Sequence, residues 1–262
     1  ASFAFLRTTT LETGLTAKYG SLNSATSKAD YWNGNLAYIA LGFTLKSPIN
    51  EVLDKIKSPW NYGMGIALTP YTQIGYNILT DETLADLGRV ENSFEGSGGT
   101  YRFSWSNAVK YKNTAIGANL GWVFGKSVYA ATTNFVDSFP TFQTNRREDL
   151  RTNGFIWNVG VQHDFVLKTA ENDKNVPVRW ITVGITGEGQ HDLGTDYDAL
   201  FVRSRGLSSA GTYIDADTLQ SAFGQQVTIT LPATFGVGIQ YVNANKLKLG
   251  AQYEYGGWAS YR

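Results

Sequence analysis

The chain's inventory for metal or acid–base chemistry is two histidines, no cysteine and carboxylates spread along the sequence. His163 falls between Val161 and Phe165 in an alternating apolar run. An ionisable ring is costly there at mid-bilayer depth and tolerable near an interface, so an interfacial or partner-facing position is expected. His191 stands with Asp192, Asp196 and Asp198. Oxygen-rich loops can hold Ca²⁺, but this spacing is not that of an EF-hand. It reads as a solvated acidic loop, as do Asp215 and Asp217. Gly184, Gly187 and Gly189 lack the spacing and the following helix of a dinucleotide fingerprint. No Gly-x-Ser-x-Gly and no Ser/His/Asp set is visible. Without cysteine, disulfides, thiolate metal sites and cysteine nucleophiles are excluded. The expectation is a protein with no catalytic residues, no metal, no cofactor and no enzymatic activity.

Binding chemistry is better represented. Glu12, Lys18, Gln73, Arg102, Asn119, Asn158, Gln162, Asp164, Gln240 and Glu254 each occupy the polar phase of an alternating segment. They are expected on one common face, lining an interior. Mixed charges suit a solvated lumen. A path for an amphipathic ligand would need apolar residues on that face too, and the alternation puts only Ile156 and Val166 there.

The elements that position these residues are strands. In Trp60, Tyr62, Met64, Ile66 and Leu68 the apolar side chains recur every second residue, with Gly, Asn, Ala and Thr between them. The same period runs from Thr114 to Phe124, from Phe155 to Leu167, from Val227 to Tyr241 and from Leu247 to Tyr255. Period two is the half-buried strand signal. A soluble sandwich would use strands of about five to six residues with charged outer faces. These segments run past the roughly 9–11 residues that cross a bilayer, and small or amide side chains occupy the second face. Aromatics cluster near segment ends (Trp60 with Tyr71, Trp122 with Tyr129, Tyr253 with Trp258), as in interfacial girdles. The reading is an all-β, antiparallel transmembrane barrel, a single domain over residues 1–262 in the bacterial outer membrane.

Composition agrees. The 262 residues carry 22 basic and 22 acidic side chains, 28 glycines and 14% aromatics, and only 17% are charged. A zero net charge removes the electrostatic case for nucleic acid. No apolar run reaches the roughly 18 residues of a membrane-spanning helix.

Nine strands are read, near 8–19, 33–45, 60–79, 99–110, 114–131, 150–168, 178–188, 226–242 and 246–258. Tight connections at 111–113, 169–176 and 243–245 alternate with long ones at 80–98, 132–149 and 189–225, the last an extracellular loop. Short periplasmic turns and long extracellular loops alternate in this way in outer-membrane barrels. The 46–59 connection would be periplasmic, with a short helix suggested by Pro48, Ile49, Val52, Leu53 and Ile56. Bacterial single-chain barrels have even strand counts, so an odd nine predicts further strands beyond Arg262. Pro70 cannot donate a ladder hydrogen bond and coincides with a change of phase at Tyr71. A bulge or kink is expected there. At membrane depth it would open the wall as a gate. At the rim, with Tyr71 as a girdle residue, it would shape only a loop base.

Gly63–Tyr76, Gly98–Arg102 with Thr114–Gly125, Leu231–Gly238 and Tyr253–Arg262 resemble stretches of the FadL-like outer-membrane proteins, the long-chain fatty-acid transporter family. Ala1-Ser2 is similar to the tail of that family's N-terminal Asn-Pro-Ala motif. The resemblance implies a barrel of about fourteen strands, incomplete here at both ends, with an N-terminal plug and a lateral gap for hydrophobic molecules. It implies transport of hydrophobic compounds such as long-chain fatty acids, with outer-membrane lipid and a hydrophobic small molecule as partners. The alternative within the same resemblance is a non-transporting barrel subunit of a secretion or assembly complex, with envelope proteins as partners.

Overall fold

The computed structural model describes residues 1–23, 28–45, 58–86, 88–137, 142–170, 177–207, 213–244 and 246–261. The helix expected at 46–59 falls almost wholly outside them. Eleven antiparallel strands form one sheet: β1 (Thr10–Asn23), β2 (Lys28–Thr44), β3 (Trp60–Leu84), β4 (Gly88–Tyr111), β5 (Thr114–Phe135), β6 (Phe142–Thr169), β7 (Pro177–Glu188), β8 (His191–Leu207), β9 (Tyr213–Leu231), β10 (Thr234–Asn243) and β11 (Leu247–Gly256). Two 3-10 turns, Ser2–Phe5 and Trp258–Ser260, flank them. No described helix is long and apolar enough to cross a membrane.

The expected nine strands are corrected to eleven, which make nine passes because two passes are each broken in mid-course. β7 continues into β8 across Gly189 and Gln190, and β9 into β10 across Pro232 and Ala233. The 28-residue β6 serves both halves of its neighbour, pairing β8 through residues 142–153 and β7 through 158–169. Among the described residues β1 pairs only with β2, and β11 only with β10.

The long loops are corrected too. Residues 80–98 and 132–149 are mostly continuing ladder, paired as far as Leu84–Gly88 and Phe135–Phe142. The 189–225 segment is β8 and much of β9, paired out to Leu207–Tyr213. These outer halves carry charge at near-alternate positions, so the apolar period that identifies a lipid-facing strand fades while the backbone ladder persists. At about 3.3 Å per residue, β6 is far longer than a bilayer is thick.

Cross-strand partners share a face, and burial alternates accordingly. Along β5, Ala115, Gly117, Gly121 and Val123 are buried while Ile116, Leu120 and Trp122 are exposed. The exposed face continues through Phe103 and Trp105, Phe155 and Trp157, and Ile239 and Tyr253. In water, leaving such side chains exposed forgoes about 1.5–3 kcal/mol each. Against hydrocarbon that cost vanishes, so this is the lipid face. Aromatics mark its edges, with the tilted ring pairs Trp60 and Tyr111 at 4.5 Å below and Trp122 and Phe124 at 5.0 Å above. The fold is an all-β, antiparallel barrel wall.

Candidate functional site: the lumen and a break in the wall

The inner face begins with a floor. The Ser2–Phe5 turn lies against β2–β5, where glycines make room for it. A Cβ on Gly63 would stand 1.8 Å from the Phe3 carbonyl oxygen, and one on Gly117 would stand 2.2 Å from the Ala1 nitrogen. Asn61 Nδ2 donates to the Ala4 carbonyl at 2.6 Å, and Lys110 Nζ sits 3.9 Å above the Phe5 ring. Ala4 packs with Ala108 and Ala115 as a small buried cluster.

Above the floor stand the polar residues read from the sequence. Asn119 donates through Nδ2 to Asn158 Oδ1, and Thr182 donates to Asp164 at 2.7 Å. Gln162 and Gln240 share a glycine-lined cavity of about 420 Å³ with Gly184 and Gly250. Glu254 pairs in register with Gly236, Glu12 with Ala40 and Lys18 with Asn33, on this same face. Arg102 crosses over Gly121 and holds its guanidinium carbon 5.9 Å from the Tyr71 ring. Its Nε and the Oγ1 of its cross-strand partner Thr69 are both buried without a hydrogen-bond partner. Gln73 is the exception. The bulge at Tyr71 moves it out of phase, so it pairs with Gly99 beyond the Thr72–Thr100 pair and faces the opposite way.

Of an apolar cluster on the inner face, the sequence alternation shows only Ile156. Val123, Ile156 and Leu193 are buried together, with Ile229 and Leu231 against them. The run from Val227 to Tyr241 keeps its odd-numbered apolar residues throughout, but the break at Pro232 and Ala233 inverts the face. Leu231 pairs with buried His191, whereas Phe235 pairs with Gly187 on the lipid side. His191 is therefore corrected from a solvated loop to the first residue of β8, 6% exposed. Its Nε2 lies 3.1 Å from the Trp157 carbonyl oxygen and 3.3 Å from its nitrogen. The imidazole thus fills the interruption between β6 and the β7–β8 pass. Asp192 accepts from Thr230, Asp198 pairs with Arg151 and Asp217 with Arg203; Asp215 lies opposite Arg205 in the ladder. His163 faces outward by the tight turn, 2.8 Å from Thr114 Oγ1 and edge-on to Phe165. Among the described residues no three His, Asp or Glu side chains converge as metal ligands would.

The β2–β3 ladder ends beside Pro70. On the β4 side the ladder passes Pro70 with one bulge. On the β2 side, pairing runs from Thr44–Gly63 to Ile39–Leu68 and ends there. Among the described residues, 28–38 of β2 pair only with β1, and 69–84 of β3 only with β4. Two irregularities face each other at this point: Ala37, skipped in the β1–β2 register, and Tyr71, skipped in the β3–β4 register. The Tyr71 ring stands beside the Arg102 guanidinium. The resulting cavity of about 370 Å³ is lined by Lys18, Asn33, Asn35, Thr72 and Gln73, with Leu36 and Ala37. Trp32 and its partner Tyr19, 71% and 68% exposed, stand on β2 and β1 at its outer end.

Beyond the lipid face, ion pairs dominate: Lys126 and Arg147 with Asp149, Arg146 with Glu148, and Arg89 with Asp81 and Glu91. The hydrogen bond from Lys126, helped by Arg147, holds the Asp149 carboxyl below the usual range against a smaller upward push from burial.

No curated protein and no solved structure matches the chain. The fatty-acid-transporter resemblance therefore finds no support in these comparisons. A family model described as BamG matches residues 1–262. Of the two functions read from the sequence, that match fits the barrel subunit of an assembly complex better than the transporter. A lipid-facing β-wall and a match over its whole length lead to one conclusion: the chain belongs to the BamG family, outer-membrane barrels of the Bam complex.

Proposed function

We propose that the protein is a non-enzymatic barrel subunit of an outer-membrane protein assembly machine, working by holding partner envelope proteins. The observation that carries this reading is the family match over residues 1–262. Two features of the wall agree with it. The β3–β4, β5–β6 and β8–β9 hairpins continue well past the lipid face as paired, ion-bridged ribbons, which offer rigid polar surface to proteins. The lumen also has a seated N-terminal turn and an inward apolar cluster in it, an arrangement of a filled support more than of a conduit. Transport of a hydrophobic compound through the wall would have to pass the polar lining at Pro70, where Lys18, Asn33 and Asn35 stand.

Affinity purification of the tagged protein from native membranes in mild detergent tests the proposal. Stoichiometric recovery of other Bam-complex envelope proteins, with reduced outer-membrane protein levels on depletion, is expected. Recovery of the barrel alone, together with lost uptake of a hydrophobic compound on depletion, overturns it.

A further inference from the structure

The break between β2 and β3 presents two strand edges with backbone donors and acceptors unpaired toward each other. Residues 28–38 form one edge and 69–84 the other. An uncovered strand edge is a ready template for pairing with another chain, and wherever it borders hydrocarbon each unsatisfied backbone group costs several kcal/mol. What satisfies a strand edge in full is another backbone, with alternating N–H and C=O groups at the strand's own spacing.

The side chains across the break point the same way. Asn33 projects toward β3, its Nδ2 coming within 3.6 Å of a Cβ position on Gly75. Asn35 donates to Asn33 Oδ1 at 2.7 Å. Two carboxamides, the side chains most like a peptide group, thus occupy the place of the missing strand. Among the described residues Lys18 and Arg102 flank the break from either side without a carboxylate partner, and the buried Nε of Arg102 and Oγ1 of Thr69 lack hydrogen bonds. The site is complementary to an extended chain carrying an acidic side chain toward the lumen and apolar ones toward lipid.

We infer that the β2–β3 break is a strand-acceptor site, occupied in the assembled complex by an extended acidic segment of a partner envelope protein. The segment displaces the Asn33 and Asn35 amides, pairs with the free edges and places its carboxylate between Lys18 and Arg102. This rests on the subunit reading above and goes beyond it by naming where, and in what form, a partner is held.

The test uses the full chain in its native membrane, with a benzophenone amino acid in place of Asn35 or Gln73, and in place of Leu120 on the lipid face as a control. After irradiation the adducts are mapped by mass spectrometry. Both break positions should label one peptide of one envelope protein, at sites in a single strand register, while Leu120 yields no such peptide. Lys18→Glu should lower that adduct by about tenfold or more, since it sets like charges together, and Lys18→Arg should restore it. Heat-modifiable migration of each variant reports that the barrel has folded. Lipid adducts alone, no adduct, or peptides scattered over many proteins overturn the inference, and they leave the subunit reading standing if the complex still co-purifies. If the barrel purifies alone, both fall.

Discussion

The Thr72 hydroxyl lies 2.9 Å from the Thr100 hydroxyl and accepts the Thr100 N–H at 3.0 Å. This pair re-seals β3 to β4 one residue beyond the Tyr71 bulge, on the strand that has just parted from β2. The wall can open on one side of β3 because the other side is locked. Thr72→Val removes the acceptor for a buried N–H, and a loss of about 1–3 kcal/mol is expected. Amide exchange at Thr100 should speed up, while exchange at Trp105 should not.

The assignment of faces predicts unequal costs at neighbouring positions. Leu120→Arg on the lipid face should destabilise by about 2–4 kcal/mol, read from denaturant unfolding in vesicles. Asn119→Ser, one residue away on the lumen face, should cost far less. Equal costs would contradict the alternation.

Glycines of the wall are predicted to be unequal. Gly63→Val drives a side chain into the Phe3 carbonyl and should unseat the turn, exposing the buried position 4 to labelling after Ala4→Cys. Gly187, with open space around its Cβ position, should accept Ala with the turn still seated. Unchanged labelling in Gly63→Val would show that the turn is not held there.

His191→Ala removes the ring that fills the β6 interruption and leaves a Trp157 backbone group unpaired. A destabilisation of about 1–3 kcal/mol is expected, with faster amide exchange confined to the neighbourhood of Trp157. Wild-type exchange at that position would remove His191 from this role.

Asp149 lies above the lipid face, and its carboxyl is held down chiefly by the Lys126 hydrogen bond. A depressed carboxyl binds fewer protons folded than unfolded. Its contribution is therefore complete above the ordinary aspartate range and is lost as pH falls through the lower folded value. The β5–β6 hairpin should loosen on that acidic limb, seen as faster exchange near Val128. Lys126→Met should flatten the dependence.

Much of the wall is legible in the residues alone. Apolar side chains at every second position, with Gly, Asn and Thr between them, have one low-energy arrangement beside hydrocarbon. That period identifies the lipid face of β3, β5, β6, β10 and β11 and puts Asn119, Asn158 and Gln162 opposite it. Pro70 is likewise visible as a residue that cannot join a ladder. Periodicity, however, reports the face only relative to neighbours on the same uninterrupted strand. Val227–Tyr241 keeps its odd-position pattern across Pro232 while the backbone there inverts, so the inward cluster of Val123, Ile156, Leu193 and Ile229 required the tertiary pairing to appear. The Tyr71 bulge hides Gln73's change of face for the same reason. The outer hairpins carry charge in place of an apolar period, and only their hydrogen-bonded register reveals them as strands. Where β2 leaves β3 is a relation between residues some thirty positions apart, set by two bulges meeting across the sheet. No local pattern encodes such a meeting, because it depends on the register that the rest of the wall imposes.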